Sequence, residues 1–128
     1  MERLLKTGAG WRLGWDPKAP EFKGLVGGDD WAIELTELEL SDLRRLSEQL
    51  QHTMEQMRSH LMEEERISCE LESDVLWLEA EGFAQDYSLR VIVRSGRRAE
   101  GFWSASAVPE VLQALASLPL TSDEMAVF

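Results

Sequence analysis

The chain of 128 residues has one cysteine, Cys69. A lone thiol excludes an internal disulfide and suits a reducing compartment. No apolar run approaches the roughly 18 residues that a membrane-spanning helix needs. The opening stretch MERLLKTGAG has no apolar core of the kind a secretory signal carries. From these absences the expectation is a cytoplasmic protein with no membrane partner. Histidine is nearly missing too, with only His52 and His60. His60 and Glu64 have i, i+4 spacing, but one cysteine and the lack of HExxH or CxxC argue against a zinc site. The glycines spell neither GxGxxG nor GxxxxGK, the phosphate-cradling patterns. No serine or cysteine has a recognisable base nearby in sequence. The expectation is therefore a non-enzymatic chain with no catalytic residue, no metal and no cofactor.

What is present is an ordinary globular composition, 44% apolar and 29% charged. A chain of this length builds a core without staples. One α+β domain over residues 1–120 is expected, followed by a disordered tail over 121–128. The net charge is −11, but it is unevenly spread. Residues 1–27 carry five bases against three acids, and residues 28–86 carry 17 acids against four bases. Residues 87–103 reverse the sign, with Arg90, Arg94, Arg97 and Arg98 against Glu100. An acidic chain repels nucleic acid and anionic lipid at long range, whatever a local basic strip does.

The strongest periodic signal runs from Ser41 to Glu65. Leu43, Leu46, Leu50, Met54, Met57 and Leu61 recur at three- and four-residue steps, the pattern of one helix face. Ser41 is the expected N-cap and Asp42 suits the first turn. The run Glu63-Glu64-Glu65 sits at the expected C-terminal end, where acids fit the dipole poorly. That misfit hints at a cation meeting it, Arg66 or a partner's. If one small sheet leaves the apolar stripe uncovered, the helix is a surface for self-association.

Both flanks of this helix read as strands. Residues 1–9 are expected to be frayed. Trp11, Leu13 and Trp15 alternate with Arg12 and Gly14 over 10–16, a strand with an aromatic face. Strands are also expected over 22–26 and 31–36, joined by the turn Gly27-Gly28-Asp29-Asp30. After the helix, period two returns over 67–71, with Ile67, Cys69 and Leu71 inward. Further strands are read over 75–82, 87–94 and 98–104, with a loop over 84–86 and a hairpin turn at Ser95-Gly96-Arg97. Ser106 is the expected cap of a second helix, with Pro109 in its first turn. Val108, Val111, Leu112, Leu115 and Leu118 form its stripe, and Pro119 ends it. The order is three strands, a long helix, four strands and a shorter helix, two sheet-then-helix units.

Arg90, Arg94, Arg97, Arg98 and Phe102 form the one basic and aromatic patch. Bases stack on rings while cations meet phosphates, so such a patch suits single-stranded nucleic acid. The plainer reading is a solvated strand face whose arginines pair with Glu70, Glu72, Glu79 or Glu100. Cys69, between Ile67 and Leu71, reads as inert core.

The stretches GWRLGWDP (10–17), LVGGDDWAIELTELEL (25–40), LMEEERISCELESDVLWLEAEG (61–82) and RRAEGFW (97–103) together resemble a small family of cyanobacterial and plastid proteins, a domain of unknown function. The resemblance reaches to about Pro119. It implies a fold similar to the single-stranded-DNA-binding transcriptional regulators of the plant Whirly and positive-cofactor type. In that group, single strands bind over the sheet surface and chains associate through their helices. The acidic charge here differs from theirs, and there is no lysine-rich motif. The leading expectation is a regulatory or adaptor protein that binds another protein through its acidic helix face. The alternatives are a single-stranded nucleic-acid binder using residues 90–98, and a small-molecule binder with a pocket between sheet and helix.

Overall fold

The structure, a computed structural model, describes residues 3–60 and 65–120. The first sheet is an antiparallel meander of β1 (Leu4–Gly8), β2 (Trp11–Trp15), β3 (Gly24–Gly27) and β4 (Ala32–Leu35). The long helix α1 (Glu37–Arg58) follows it. A second meander comprises β5 (Ile67–Glu72), β6 (Leu76–Phe83), β7 (Asp86–Val93) and β8 (Glu100–Trp103). The shorter helix α2 (Val108–Ala116) follows that sheet. The fold is α+β, two four-stranded antiparallel sheets each followed by a helix.

Four strands precede α1, rather than three. Residues 4–8, expected to be frayed, pair along their whole length with β2, from Leu4 opposite Trp15 to Gly8 opposite Trp11. Ala9 and Gly10 make the two-residue turn, and Gly10 takes the left-handed conformation it needs, φ 82°. The Trp11 ring covers Gly8: a Cβ there would lie 2.2 Å from the indole nitrogen. The third strand starts later than expected because residues 16–23 close a loop. Asp16 N–H donates to Lys23 O at 2.7 Å, and Lys23 Nζ donates to Ala19 O at 2.5 Å.

The long helix begins four residues before Ser41. Thr36 is its N-cap, through a reciprocal capping box. Glu39 N–H donates to Thr36 Oγ1 at 3.1 Å, and Thr36 N–H donates to Glu39 Oε1 at 2.9 Å. The helix also ends earlier, at Arg58. Ser59 caps it, its Oγ donating to Gln56 O at 2.8 Å. Leu61, Glu63 and Glu64, and with them most of the acidic run and the His60–Glu64 pair, lie outside the described residues, as does the tail over 121–128. Ser106 is not the cap of α2. The N-cap position is Ala107, and a backbone turn leads in, with Ala107 and Val108 N–H both donating to Ser104 O.

Leu40, Leu43, Leu46, Leu50 and Met54 of α1 are all buried. Each apolar side chain of this size contributes about 1.5–3 kcal/mol on full burial. They meet Leu13, Trp15 and Leu35 of the first sheet and Leu78 and Leu89 of the second in one core. Of the expected stripe, Leu43, Leu46, Leu50 and Met54 are thus buried inside the chain, Met57 is half-buried, and Leu61 lies outside the described residues. α2 packs against α1, β2 and β7. Arg44, also buried, reaches across from α1 and donates to Leu118 O, just past the end of α2.

Two tryptophans tie the sheets together where β4 meets β8. Trp31 Nε1 donates to Phe102 O at 3.0 Å, and Trp103 Nε1 donates to Gly27 O at 2.9 Å. Their ring centroids lie 5.2 Å apart at 55°. Trp31 can settle there because position 101 is glycine; a Cβ would lie 2.2 Å from its ring. No helix of the described residues is long and apolar enough to cross a membrane.

Candidate functional site

Strand alternation sends half of the second sheet into the core and leaves the other half open. Leu76, Leu78, Leu89, Val91 and Trp103 face inward and are buried. On the open face the register sets two cross-strand rows. One runs Glu72, Trp77, Ile92, Glu100, and the next runs Glu70, Glu79, Arg90, Phe102. Trp77 and Ile92 are half-buried, and Phe102 is 49% exposed.

The structure brings four of the five expected residues to this face. Arg90 lies directly opposite Phe102 and pairs with Glu100 at 3.5 Å. Arg94, at the end of β7, donates to Glu72 Oε2 at 2.8 Å and to Ser73 O at 3.2 Å. Arg98 sits in the loop back to β8 with φ 52°, the left-handed region that disfavours a side chain. Arg94 and Arg98, with Trp77, Ile92 and Glu100, line an open concavity of about 630 Å³.

Arg97 goes elsewhere. It pairs with Glu39 in the first turn of α1, donates to Glu34 O, and lies over the Phe22 ring at 4.6 Å. Ser95 Oγ also donates to Glu39. Glu39 therefore caps its own helix and anchors the β7–β8 loop at once. Burial alone would raise its pKa. The hydrogen bonds from Ser95, the Thr36 N–H and Arg97, with the Arg97 charge, hold the carboxyl below its usual value. Arg97 thus fixes the loop from which Arg98 projects.

Trp77 and Ile92 belong to the site but were not singled out by the sequence pattern. Their signal is parity: Trp77 falls between the inward Leu76 and Leu78, and Ile92 between Val91 and Val93. On the acidic helix, Asp42 pairs with Arg45 at 3.5 Å and Glu55 with Arg58 at 3.6 Å. On the open sheet face Glu70, Glu72, Glu79 and Glu81 point outward from β5 and β6, Glu72 paired with Arg94 and Glu81 with Arg66.

The remaining candidates are less developed. His52 and His60 are exposed. Cys69 is half-buried against the core, and burial, then the Glu70 charge, raises its pKa, so the reactive thiolate is disfavoured. A cleft of about 310 Å³ opens where the end of α1 meets the start of α2, between Met54, Glu55, Tyr87 and Leu112 among others. Burial, then the nearby Cys69 and Glu55, raises the Tyr87 pKa.

A family model described as a domain of unknown function, DUF1818, matches residues 6–118. No curated protein matches the chain. A solved structure from Prochlorococcus sp. NATL2A is similar: 30% identical, TM-score 0.84, covering 89% of this chain and 97% of that one. That protein is itself described as of unknown function, from the DUF155 family.

Proposed function

The chain belongs to the DUF1818 family, whose description assigns no activity, and from that premise we propose that it is a non-enzymatic adaptor or regulatory protein. Its protein-binding surface is the open face of the second sheet. The observation that carries this is the row Trp77–Ile92 beside the half-exposed Phe102, with charged side chains around it. Exposed apolar patches with a polar rim mark interaction sites, and interface anchors are enriched in Trp, Tyr and Arg. A protein partner is favoured over a phosphate backbone because a carboxylate stands beside each arginine, Glu100 at Arg90 and Glu72 at Arg94, and a protein can meet both signs. Carboxylates Glu70 and Glu79 stand in the same row as Arg90, which opposes a polyanion at short range.

A photo-crosslinking residue at position 102, introduced into the protein in cyanobacterial cells, tests this. The expected result is a discrete adduct of protein mass, lost when Ile92→Glu is added. No adduct would overturn the reading.

A second reading keeps single-stranded nucleic acid as the ligand. It is favoured by the half-exposed Phe102 directly opposite Arg90, a stacking ring beside a cation. The two sheet-then-helix units also follow the order of the Whirly-type regulators, and the Prochlorococcus relative suits a cyanobacterial family. Titration with a labelled single-stranded oligonucleotide at low and physiological salt decides it. Salt-sensitive micromolar binding supports this reading, and none at low salt removes it.

A further inference from the structure

We propose that the open face of the second sheet binds a second copy of this chain, face to face, about a two-fold axis that runs parallel to the strands between β6 and β7. This rests on the reading of that face as a protein-binding surface and names its occupant. Charge is placed unevenly across this face. The outward acids Glu70, Glu72 and Glu79 lie on β5 and β6, whereas Arg90 stands on β7, Arg94 directly after its last residue and Arg98 in the loop that follows. The β5–β6 half of the face carries acids, and the β7–β8 half holds the cations together with one acid, Glu100.

Register makes this division self-complementary. A two-fold along the strands keeps each cross-strand row at its own level and exchanges its two ends. β6 of one copy then lies over β7 of the other, and β5 over β8. Trp77 and Ile92 are direct cross-strand partners, so each Trp77 is laid on the other copy's Ile92. Glu79 and Arg90 are partners in the next row, so each Glu79 is laid on the other copy's Arg90. In the same row Glu70 comes over the other copy's Phe102. At the far end, Arg98, which lines the open concavity, approaches the other copy's β5–β6 turn with its exposed Asp74. Sheets packed face to face sit about 10 Å apart, within reach of such side chains. Identical patches meeting in this manner are isologous, the usual way two copies close.

The same operation answers an otherwise unfavourable arrangement. Glu70 and Glu79 are like charges directly opposed on neighbouring strands, which destabilises a sheet on its own. Arg90 does not neutralise Glu79 within the chain; it turns to Glu100 at 3.5 Å, while Glu79 accepts from Ser68 Oγ at 3.3 Å. A second copy brings an arginine over each Glu79. The row of Trp77 also sets Glu72 over the other copy's Glu100. Glu72 brings its own arginine into that encounter, Arg94, and Arg90 lies between Glu100 of its own chain and the other copy's Glu79.

Sedimentation equilibrium of the full chain over roughly 1–200 μM, a range that brackets weak isologous pairs, is the first measurement. A dimer with exchanged charges gives a specific pattern. Glu79→Arg alone and Arg90→Glu alone each weaken dimerisation by about tenfold or more. An equimolar mixture of the two variants restores it. The reversed charge at position 79 of one chain then faces the reversed charge at position 90 of the other, while the native Arg90 and Glu79 face each other. Effects confined to one chain are the same in the mixture as in each variant alone, so rescue reports the contact between chains. Raised salt screens both the pairs and the repulsion of two chains of charge −11, which makes the mixture the sharper readout. A wild-type mass of one chain throughout, or no rescue in the mixture, overturns the proposal. If the chain is monomeric yet position 102 still crosslinks to a different protein, the protein-binding reading stands and only the second copy falls. If position 102 crosslinks to no protein either, both fall.

Discussion

Trp31 and Trp103 each send their indole N–H into the sheet of the other, and their rings meet at 5.2 Å. Trp31 sits on the bare backbone of Gly101, with no room for a methyl group. Replacing Trp31 by alanine is expected to destabilise the fold by about 2–3 kcal/mol, through lost contact area and the lost bond to Phe102 O. Gly101→Ala is expected to destabilise as well, by pushing the ring out. The double variant will be less harmful than the two single effects added, because the clash needs the ring. Urea denaturation of the four proteins measures the coupling, and simple additivity would mean that Trp31 does not rest on Gly101.

Arg98 has a left-handed backbone with no glycine to absorb it. Arg98→Gly should therefore stabilise the monomer by about 0.5–1 kcal/mol. The same change removes a charge from the open sheet face and should weaken binding there. A chemical-denaturation midpoint that rises while association falls is the expected pair of results. A midpoint that falls would show that the Arg98 side chain holds the loop itself.

Glu39 has a lowered pKa, so its contribution to stability has a definite direction with pH. A depressed carboxyl pKa means that the unfolded chain takes up its proton first as pH falls. The stabilisation is fully present above the ordinary carboxylate titration and is lost as pH falls through the lowered folded value. Glu39→Gln should cost about 2 kcal/mol at neutral pH. The gap between wild type and variant should narrow on acidification. Thermal melts in a pH series check both, and a gap that stays constant would remove the charge from the account.

Helix capping gives the simplest comparison. Thr36→Ala should cost about 1 kcal/mol, because it breaks one half of the capping box. Ser41→Ala and Ser106→Ala should change stability little, since neither side chain caps a helix. Guanidinium melts of the three variants test the assignment, with Ser41→Ala as harmful as Thr36→Ala being the adverse outcome.

Periodicity makes some elements legible and hides others. Tyr87, Leu89, Val91 and Val93 alternate cleanly, and all four are buried; the stripe of α2 is equally plain. The Thr36–Glu39 capping box is present as a T-x-x-E motif ahead of an apolar run, but Ser41 lies nearer the first regular helical step and competes with it. β1 escapes notice because Leu4 and Leu5 adjoin and Gly8 and Gly10 break its alternation; its strand character comes from pairing with β2. At the candidate site, register identifies the neighbours of Arg90 and Phe102 from the strands alone. It says nothing of a loop residue's side. Arg97 and Arg98 adjoin in sequence, and the left-handed turn at Arg98 sends them to opposite surfaces, one to α1 and one to the open sheet.

The ties between the beginning and the end of the chain have a consequence for its synthesis. Trp11 Nε1 donates to Glu110 Oε1 at 2.9 Å, and Lys6 Nζ donates to Ser117 Oγ at 2.5 Å. Trp103 reaches back 76 residues to Gly27. A nascent chain emerging from the ribosome in order can pair β1 to β4 and wind α1, yet the partners that cover the aromatic side of β2 come from the last helix. Contacts so distant along the chain slow folding and prolong the exposure of apolar surface. The first half of the molecule is thus made early and sealed last, which makes α2 the latch of the structure and its arrival the step at which the protein stops being sticky.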